Sequence, residues 1–288
     1  MQGIAAPSID MTAVLLQSEG VDLGGLLVAG MLAAGAMALG VVVQRRLWRI
    51  GPDQRGTEPV ELSLWLLGAI LAYIAGGFGE AAPPTEDAAY TRLVKGTVGN
   101  LAQILVASAF LARFTSPLPL PALPAARSVR AGVAGFLLLT PIVGAVSIVV
   151  NGLLELAGMP RAPEAAHTTL ATLAERRDPL LTALTLAHVA LLVPVAEEFI
   201  WRGMMQPWMR SVIGVKAGIA VTALLFTLIH VTAIAPDGLP AGLAMLAVLA
   251  IGLGILRERT GSLLAPVIVH ALFNAFNVAL TMMKSPAG

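Results

Sequence analysis

Two adjacent carboxylates and an arginine close a long run of hydrocarbon side chains: residues 194–202 read Pro-Val-Ala-Glu-Glu-Phe-Ile-Trp-Arg. A charged side chain at membrane depth costs a few kcal/mol or more, so it is normally paired, faces a cavity and has a task. On a helix Glu198 and Arg202 are four apart and share a face, while Glu197 is turned about 100° away. Arg202 is then placed to hold Glu198 ionised, and Glu197 is left to point into a cavity. An unpaired, desolvated carboxylate of that kind is suited to general-base work near neutral pH. Pro194 removes one backbone hydrogen bond and is expected to kink the helix just before the acids, opening space for water or a substrate. The bland alternative is that both acids lie solvated at the cytoplasmic interface, with Arg202 marking the membrane edge.

Two further polar sets occur in apolar surroundings. Phe226 and His230 are four apart in Leu-Leu-Phe-Thr-Leu-Ile-His, so the phenyl ring is expected to pack against the imidazole. His270, Asn274 and Asn277 recur at four and three in Val-Ile-Val-His-Ala-Leu-Phe-Asn-Ala-Phe-Asn, a polar stripe on an otherwise greasy helix. The stripe offers N–H donors to a developing oxyanion, or else serves as interhelical glue, Asn277 above all. His188 has no evident partner and His167 falls in a loop, so neither joins the site.

Acids and two histidines on three helices are chemically sufficient to bind a metal, relay protons or activate water. His-Glu-x-x-His and Gly-x-Ser-x-Gly are missing, and the chain has no cysteine for a thiolate nucleophile or a disulfide. Attack by carboxylate-activated water, with or without a metal, fits what remains.

The elements that must hold these residues are membrane helices. The 288 residues are 57% hydrophobic and 12% charged, with a mean hydropathy of +0.84, far from a soluble domain. About 20 apolar residues span the hydrocarbon layer, and the pattern predicts an all-α, polytopic integral membrane protein with about eight transmembrane helices. Their expected ranges are 21–43, 61–79, 96–112, 132–157, 180–200, 215–235, 239–256 and 262–283. Residues 165–177 read as a short interfacial helix, with Leu170 and Leu173 on one face, or as a solvent loop.

A single membrane domain is expected: a tail over 1–20 with no basic residue, helices over 21–175, and site-bearing helices over 176–284. Loop arginines and lysines, counting Arg210 and Arg257 among the inside ones, favour both termini outside. The net charge of +1 gives no reason to expect nucleic acid as a partner.

Taken together, Glu197-Glu198-x-x-x-Arg202, Phe226-x-x-x-His230 and His270-x-x-x-Asn274 resemble the three ordered motifs of the CAAX-protease and bacteriocin-processing (ABI) family of intramembrane endopeptidases. The approach to the last motif, residues 252–266, Gly-Leu-Gly-Ile-Leu-Arg-Glu-Arg-Thr-Gly-Ser-Leu-Leu-Ala-Pro, is similar to that family's as well. The resemblance covers roughly the C-terminal third, and it departs at Trp201, where many relatives carry a smaller aromatic.

It implies a helical protease acting on a peptide or protein at the membrane. Glu197 would be the general base and His230 would hold and polarise the water. His270 and Asn274 would bind the oxyanion, and Glu198 with Arg202 would brace the site. It implies no cofactor, with zinc on Glu197, His230 and His270 as the alternative. A proton-coupled transporter is the rival from another class, although the ionisable residues gather in one half of the chain. Ala, Gly, Leu and Arg usage points to a GC-rich bacterial genome, hence to a bacterial cytoplasmic membrane.

Overall fold

A computed structural model describes residues 23–47, 59–114, 123–159, 168–176 and 178–284. The expected tail over 1–20, and His167, lie outside the described residues. All regular elements among them are helical. We number these α1 (Leu23–Gln44), α2 (Pro59–Ala75, tightening into a 3-10 segment at Gly76–Ala81), α3 (Ala88–Arg113), α4 (Ala125–Leu156) and α5 (Thr168–Arg176). They continue as α6 (Pro179–Ile213), α7 (Val215–Ile229), α8 (Leu239–Thr260) and α9 (Leu264–Lys284). Eight of these helices, all except α5, are long and apolar enough to cross a membrane, so the protein is an all-α polytopic membrane protein. Leu105, Leu137 and Leu191 are exposed on the outer surface, an apolar exterior that suits acyl chains and would be a liability in water.

Helix α4 is the central post, packing against α1, α8 and α9. Val143 on α4 meets Leu249 and Leu253 of α8 and Val269 of α9 in one buried cluster. Close approach depends on Gly132, where a Cβ would lie 2.7 Å from the Ile268 Cβ and 2.9 Å from the Ala265 carbonyl oxygen. Small residues bring membrane helices together in this way because lipid supplies no hydrophobic drive for association.

The turn into α9 is set by its own side chains. Gly261 adopts a left-handed φ of 61°, which residues with a Cβ rarely take. Thr260 Oγ1 accepts from the Ser262 N–H at 3.3 Å, and Ser262 Oγ accepts from the Leu264 N–H at 3.2 Å. Those bonds fix where α9 begins, and therefore which way His270 faces two turns later.

Helices α3 and α6 run parallel. Gly96 lies beside His188, and Leu111 lies beside Gly203, so the two helices stay in constant register over four turns. Both begin on aspartate caps. Asp87 accepts from the Ala89 N–H at 2.7 Å, and Asp178 accepts from the N–H groups of Leu180 and Leu181.

Several boundaries differ from the hydropathy reading. The expected 96–112 becomes Ala88–Arg113, because Asp87 starts the helix two turns earlier. The expected 180–200 extends to Ile213, and 239–256 extends to Thr260. Polar residues continue these two helices because they pair with each other. Arg210 and Arg257, counted above as inside-loop charges, are buried within α6 and α8. Without them the loop count still leans the same way. Residues 168–176 form the short helix, not the loop.

Candidate active site

Helix α6 carries both acids and is interrupted twice by π-type turns, His188–Leu192 and Trp201–Met205. In each, an N–H reaches back five residues: Val193 to the His188 carbonyl and Gln206 to the Trp201 carbonyl. The next residue is a proline both times, Pro194 and Pro207, and proline has no N–H to give. The next carbonyls, Val189 and Arg202, therefore lose their helical donor.

Both are answered from other helices, as buried carbonyls must be. Asn274 Nδ2 donates to Val189 O at 2.8 Å, and Arg257 Nε donates to Arg202 O at 3.2 Å. The expected break at Pro194 thus takes the form of a π turn whose freed carbonyl is the anchor for Asn274.

The acids have different surroundings. Glu198 is fully buried and receives Arg202 Nη1 at 3.0 Å. Arg202 spends its other amino group on Ala250 O at 3.1 Å and stacks over Phe226, 4.7 Å from the ring centre. Complete burial removes the solvated-interface alternative for this pair.

Glu198 Oε1 also lies 3.0 Å from His270 Nδ1. An ionised carboxylate only accepts, so Nδ1 carries the proton, and Nε2 is turned to Glu197, 3.7 Å from its Oε2. His230 repeats the arrangement. Its Nδ1 lies 2.7 Å from the Phe226 carbonyl oxygen, which also only accepts, and its Nε2 is 3.7 Å from Glu197 Oε1. Phe226 stacks on the His230 ring at 4.7 Å, as its spacing predicted.

Glu197 therefore stands between two imidazoles that present Nε2, one to each carboxylate oxygen, with its side chain 20% exposed to a cavity. Both gaps are too long for direct hydrogen bonds and of the size a single water can bridge.

Of the remaining sequence candidates, Asn277 donates to Phe273 O at 2.7 Å within its own helix and lines the cavity. Trp201 packs edge-on behind Phe226 at 5.8 Å and does not line it. His188, set aside for want of a partner, has one: its Nδ1 is 3.1 Å from Thr97 Oγ1, and it borders the cavity.

Sequence reasoning also missed a buried polar seam. Glu198, Arg202, Gln206 and Arg210 recur every four residues along one face of α6. Gln206 Nε2 donates to Gly254 O and to Glu258 Oε1, each at 3.0 Å, and Arg210 lies 3.5 Å from Glu258 Oε2. The period of four was the available signal.

The cavity encloses about 850 Å³ and runs from Glu197 between α3, α5, α6, α8 and α9. At its far end Leu170 and Leu173 of α5 pack on Ala89, Leu181 and Val278. Arg176 clasps Asp87 with two hydrogen bonds, and Tyr90 Oη donates to Asp178 at 2.9 Å. Arg176 holds the Asp87 carboxyl below its ordinary value, with help from the Ala89 N–H. The Leu181 N–H and Tyr90 do the same for Asp178. The Arg176 guanidinium is raised in return.

Glu197, His230 and His270 are the donors a zinc ion would use. Each imidazole Nε2 stands 3.7 Å from a Glu197 oxygen.

The family model described as type II CAAX prenyl endopeptidase Rce1-like matches residues 179–276. No curated protein and no solved structure matches the chain. The matched stretch begins at the first residue of α6 and contains Glu197, Glu198, Arg202, His230, His270 and Asn274. Glu197, Phe226, His230, His270 and Asn274 line one cavity, with Glu198 and Arg202 buried behind them, and over these helices the membrane protein is similar to the Rce1-like type II CAAX prenyl endopeptidases.

Proposed function

We propose that this protein is an intramembrane endopeptidase that hydrolyses a peptide bond of a membrane-associated or lipidated substrate with water activated by Glu197. The observation that carries this reading is the placement of Glu197 between the Nε2 atoms of His230 and His270, each 3.7 Å away, at the wall of a cavity. A water between Glu197 and His230 would give one proton to the carboxylate while its oxygen attacks the carbonyl carbon. The tetrahedral oxyanion would be met by His270 and by the second N–H of Asn274, the pair to which the family resemblance gives that role. Collapse breaks the C–N bond, and the proton held on Glu197 passes to the leaving amine.

Glu198 and Arg202 act through His270: a charge-assisted bond to Nδ1 keeps the ring turned toward the reacting atoms. A bacterial cytoplasmic membrane is the proposed location, with both termini outside. Of the two mechanisms the metal-free one is favoured, because Asn274 is a poor zinc ligand and its pairing with His270 suits oxyanion binding better.

The test is cleavage of a quenched fluorescent peptide library by the full-length chain in detergent, with wild type and Glu197→Gln compared, each with and without a chelator. Gln keeps the shape and removes the base, so a folded variant with turnover reduced by at least ~100-fold is expected. Equal cleavage by the two proteins would remove Glu197 from the mechanism. Loss of wild-type activity in chelator, restored by zinc, would replace the metal-free route by the zinc one.

A further inference from the structure

We infer that Arg92 is an anion-binding subsite at the far end of the catalytic cavity, and that the substrate peptide carries a carboxylate about four to six residues from the bond that is cut. The inference rests on the proposed hydrolysis at Glu197 and adds a determinant of which peptides are taken.

Arg92 is the only lysine or arginine among the described residues that line the cavity, and Glu197 is the only acid there. Neighbouring cations are already matched. Lys95 pairs with Glu80 at 2.6 Å, and Arg176 is clasped to Asp87. The carboxylate of Asp178 is occupied by Tyr90 and by two backbone N–H groups. Arg92 meets no carboxylate within ion-pair distance among the described residues. Arg92 is exposed and stands at the cavity's edge, where it also borders the open depression that holds Glu80 and Lys95; its guanidinium, with five donors, is a ready partner for a carboxylate, which it can meet in a bidentate fork.

The distance to the catalytic acid follows from the register of two parallel helices. Gly96 is level with His188 and Leu111 with Gly203, which makes Arg92 level with Leu184. Glu197 lies thirteen residues further along α6. At about 1.5 Å per residue that is about 20 Å along the helix axis, part of which the arginine side chain itself covers. An extended peptide advances about 3.3–3.6 Å per residue, so about four to six residues bridge the gap.

The wall between is apolar, with Leu93, Leu181 and Val189 on it, and suits a chain threaded lengthwise. The opposed charges orient that chain. A carboxylate is drawn to Arg92 and repelled from Glu197, so the neutral peptide bond is left at the catalytic end.

The experiment uses the full-length protein in nanodiscs of neutral phosphatidylcholine. Its probes are fluorescent, amidated apolar peptides of about twelve residues, long enough to reach from Arg92 past Glu197. Each carries a single Asp or, as its pair, a single Asn at the same position. Binding is measured on the Glu197→Gln background, and cleavage positions are mapped by mass spectrometry on the active chain.

The Asp peptide is expected to bind about tenfold tighter than its Asn pair, the effect of one charge-assisted contact near solvent. Cleavage should fall four to six residues from the Asp. Arg92→Gln should abolish the preference, Arg92→Glu should transfer it to Lys-bearing peptides, and Arg92→Lys and Lys95→Gln should retain it.

Equal binding of Asp and Asn peptides, or a preference that survives Arg92→Gln, overturns the subsite. So does an Arg92-dependent effect that appears only with phosphatidylglycerol in the disc while the paired peptides bind alike, which would make Arg92 a headgroup contact. Should wild type and Glu197→Gln cleave equally while the Arg92-dependent preference stands, the catalytic reading fails and the subsite does not.

Discussion

If Pro194 is the reason Asn274 binds Val189, the two residues must be energetically coupled. Asn274→Leu keeps most of the side-chain volume and deletes the donor 2.8 Å from Val189 O. Side-chain hydrogen bonds inside membrane proteins average about 0.6 kcal/mol and reach about 1.7. A buried carbonyl left without any donor costs about 1–3 kcal/mol. Val189 is half-buried and borders the cavity, where water can take the place of the amide, so the lower end applies and a loss of about 1 kcal/mol is expected.

In a Pro194→Ala background residue 194 regains an N–H, and Val189 O has a donor from its own helix. There Asn274→Leu should cost much less, giving a coupling of about 0.5–1 kcal/mol. The assay is reversible unfolding of the full chain in mixed micelles of increasing denaturing detergent, followed by tryptophan fluorescence, on all four members of the cycle. Because the readout is stability, any role of Asn274 in oxyanion binding does not enter. If Asn274→Leu costs the same whichever residue stands at 194, the account of the π turn is wrong.

Three further outcomes are expected. Glu198→Gln strands the buried Arg202 guanidinium and should lower stability by about 3–5 kcal/mol, with much of the loss recovered in Glu198→Leu/Arg202→Met; a near-neutral single variant in the same unfolding assay would contradict the pairing. Asp87 is held below its ordinary value of 3.8 by Arg176, so the clasp contributes fully above that value and is lost as pH falls through the lower folded one. Hydrogen exchange of residues 168–176 should accordingly rise on strong acidification in wild type and be high at all pH values in Arg176→Ala. Gly132→Leu forces a side chain into Ile268 and the Ala265 carbonyl, with an expected loss of about 1–3 kcal/mol and reduced turnover from displacement of α9. Gly152→Ala, where nothing lies within 4 Å, is its control and should leave both unchanged.

Periodicity located the candidate site because membrane depth makes it visible. In hydrocarbon an ionisable residue is costly, so Glu197, Glu198, Arg202, His230, His270 and Asn274 stood out against apolar neighbours, and spacings of four placed Glu198 with Arg202 and Phe226 with His230. The eight spans were legible for the same reason, since about 20 apolar residues are required of each. Their ends were not. Hydropathy stops at the first charges, whereas α6 and α8 run on past Arg202 and Arg257 because those groups find partners within and across the helix pair: Arg202 on Glu198, Arg210 on Glu258, and Arg257 Nε on the Arg202 carbonyl oxygen. A pairing between residues some fifty positions apart leaves no trace in a local window.

The residue types, their order on three helices and the division of labour between a paired and an unpaired glutamate were determined by the sequence alone. Tertiary structure decided which atoms meet. It turned both Nε2 atoms to Glu197 by occupying each Nδ1, one with a carboxylate and one with a backbone carbonyl. It also gave Asn274 to the carbonyl that Pro194 leaves without a donor, drew His188 to Thr97, and set Arg92 at the far end of the same cavity. The physical reason is that intrahelical spacing fixes a face, while the partner across that face is chosen by how the helices pack.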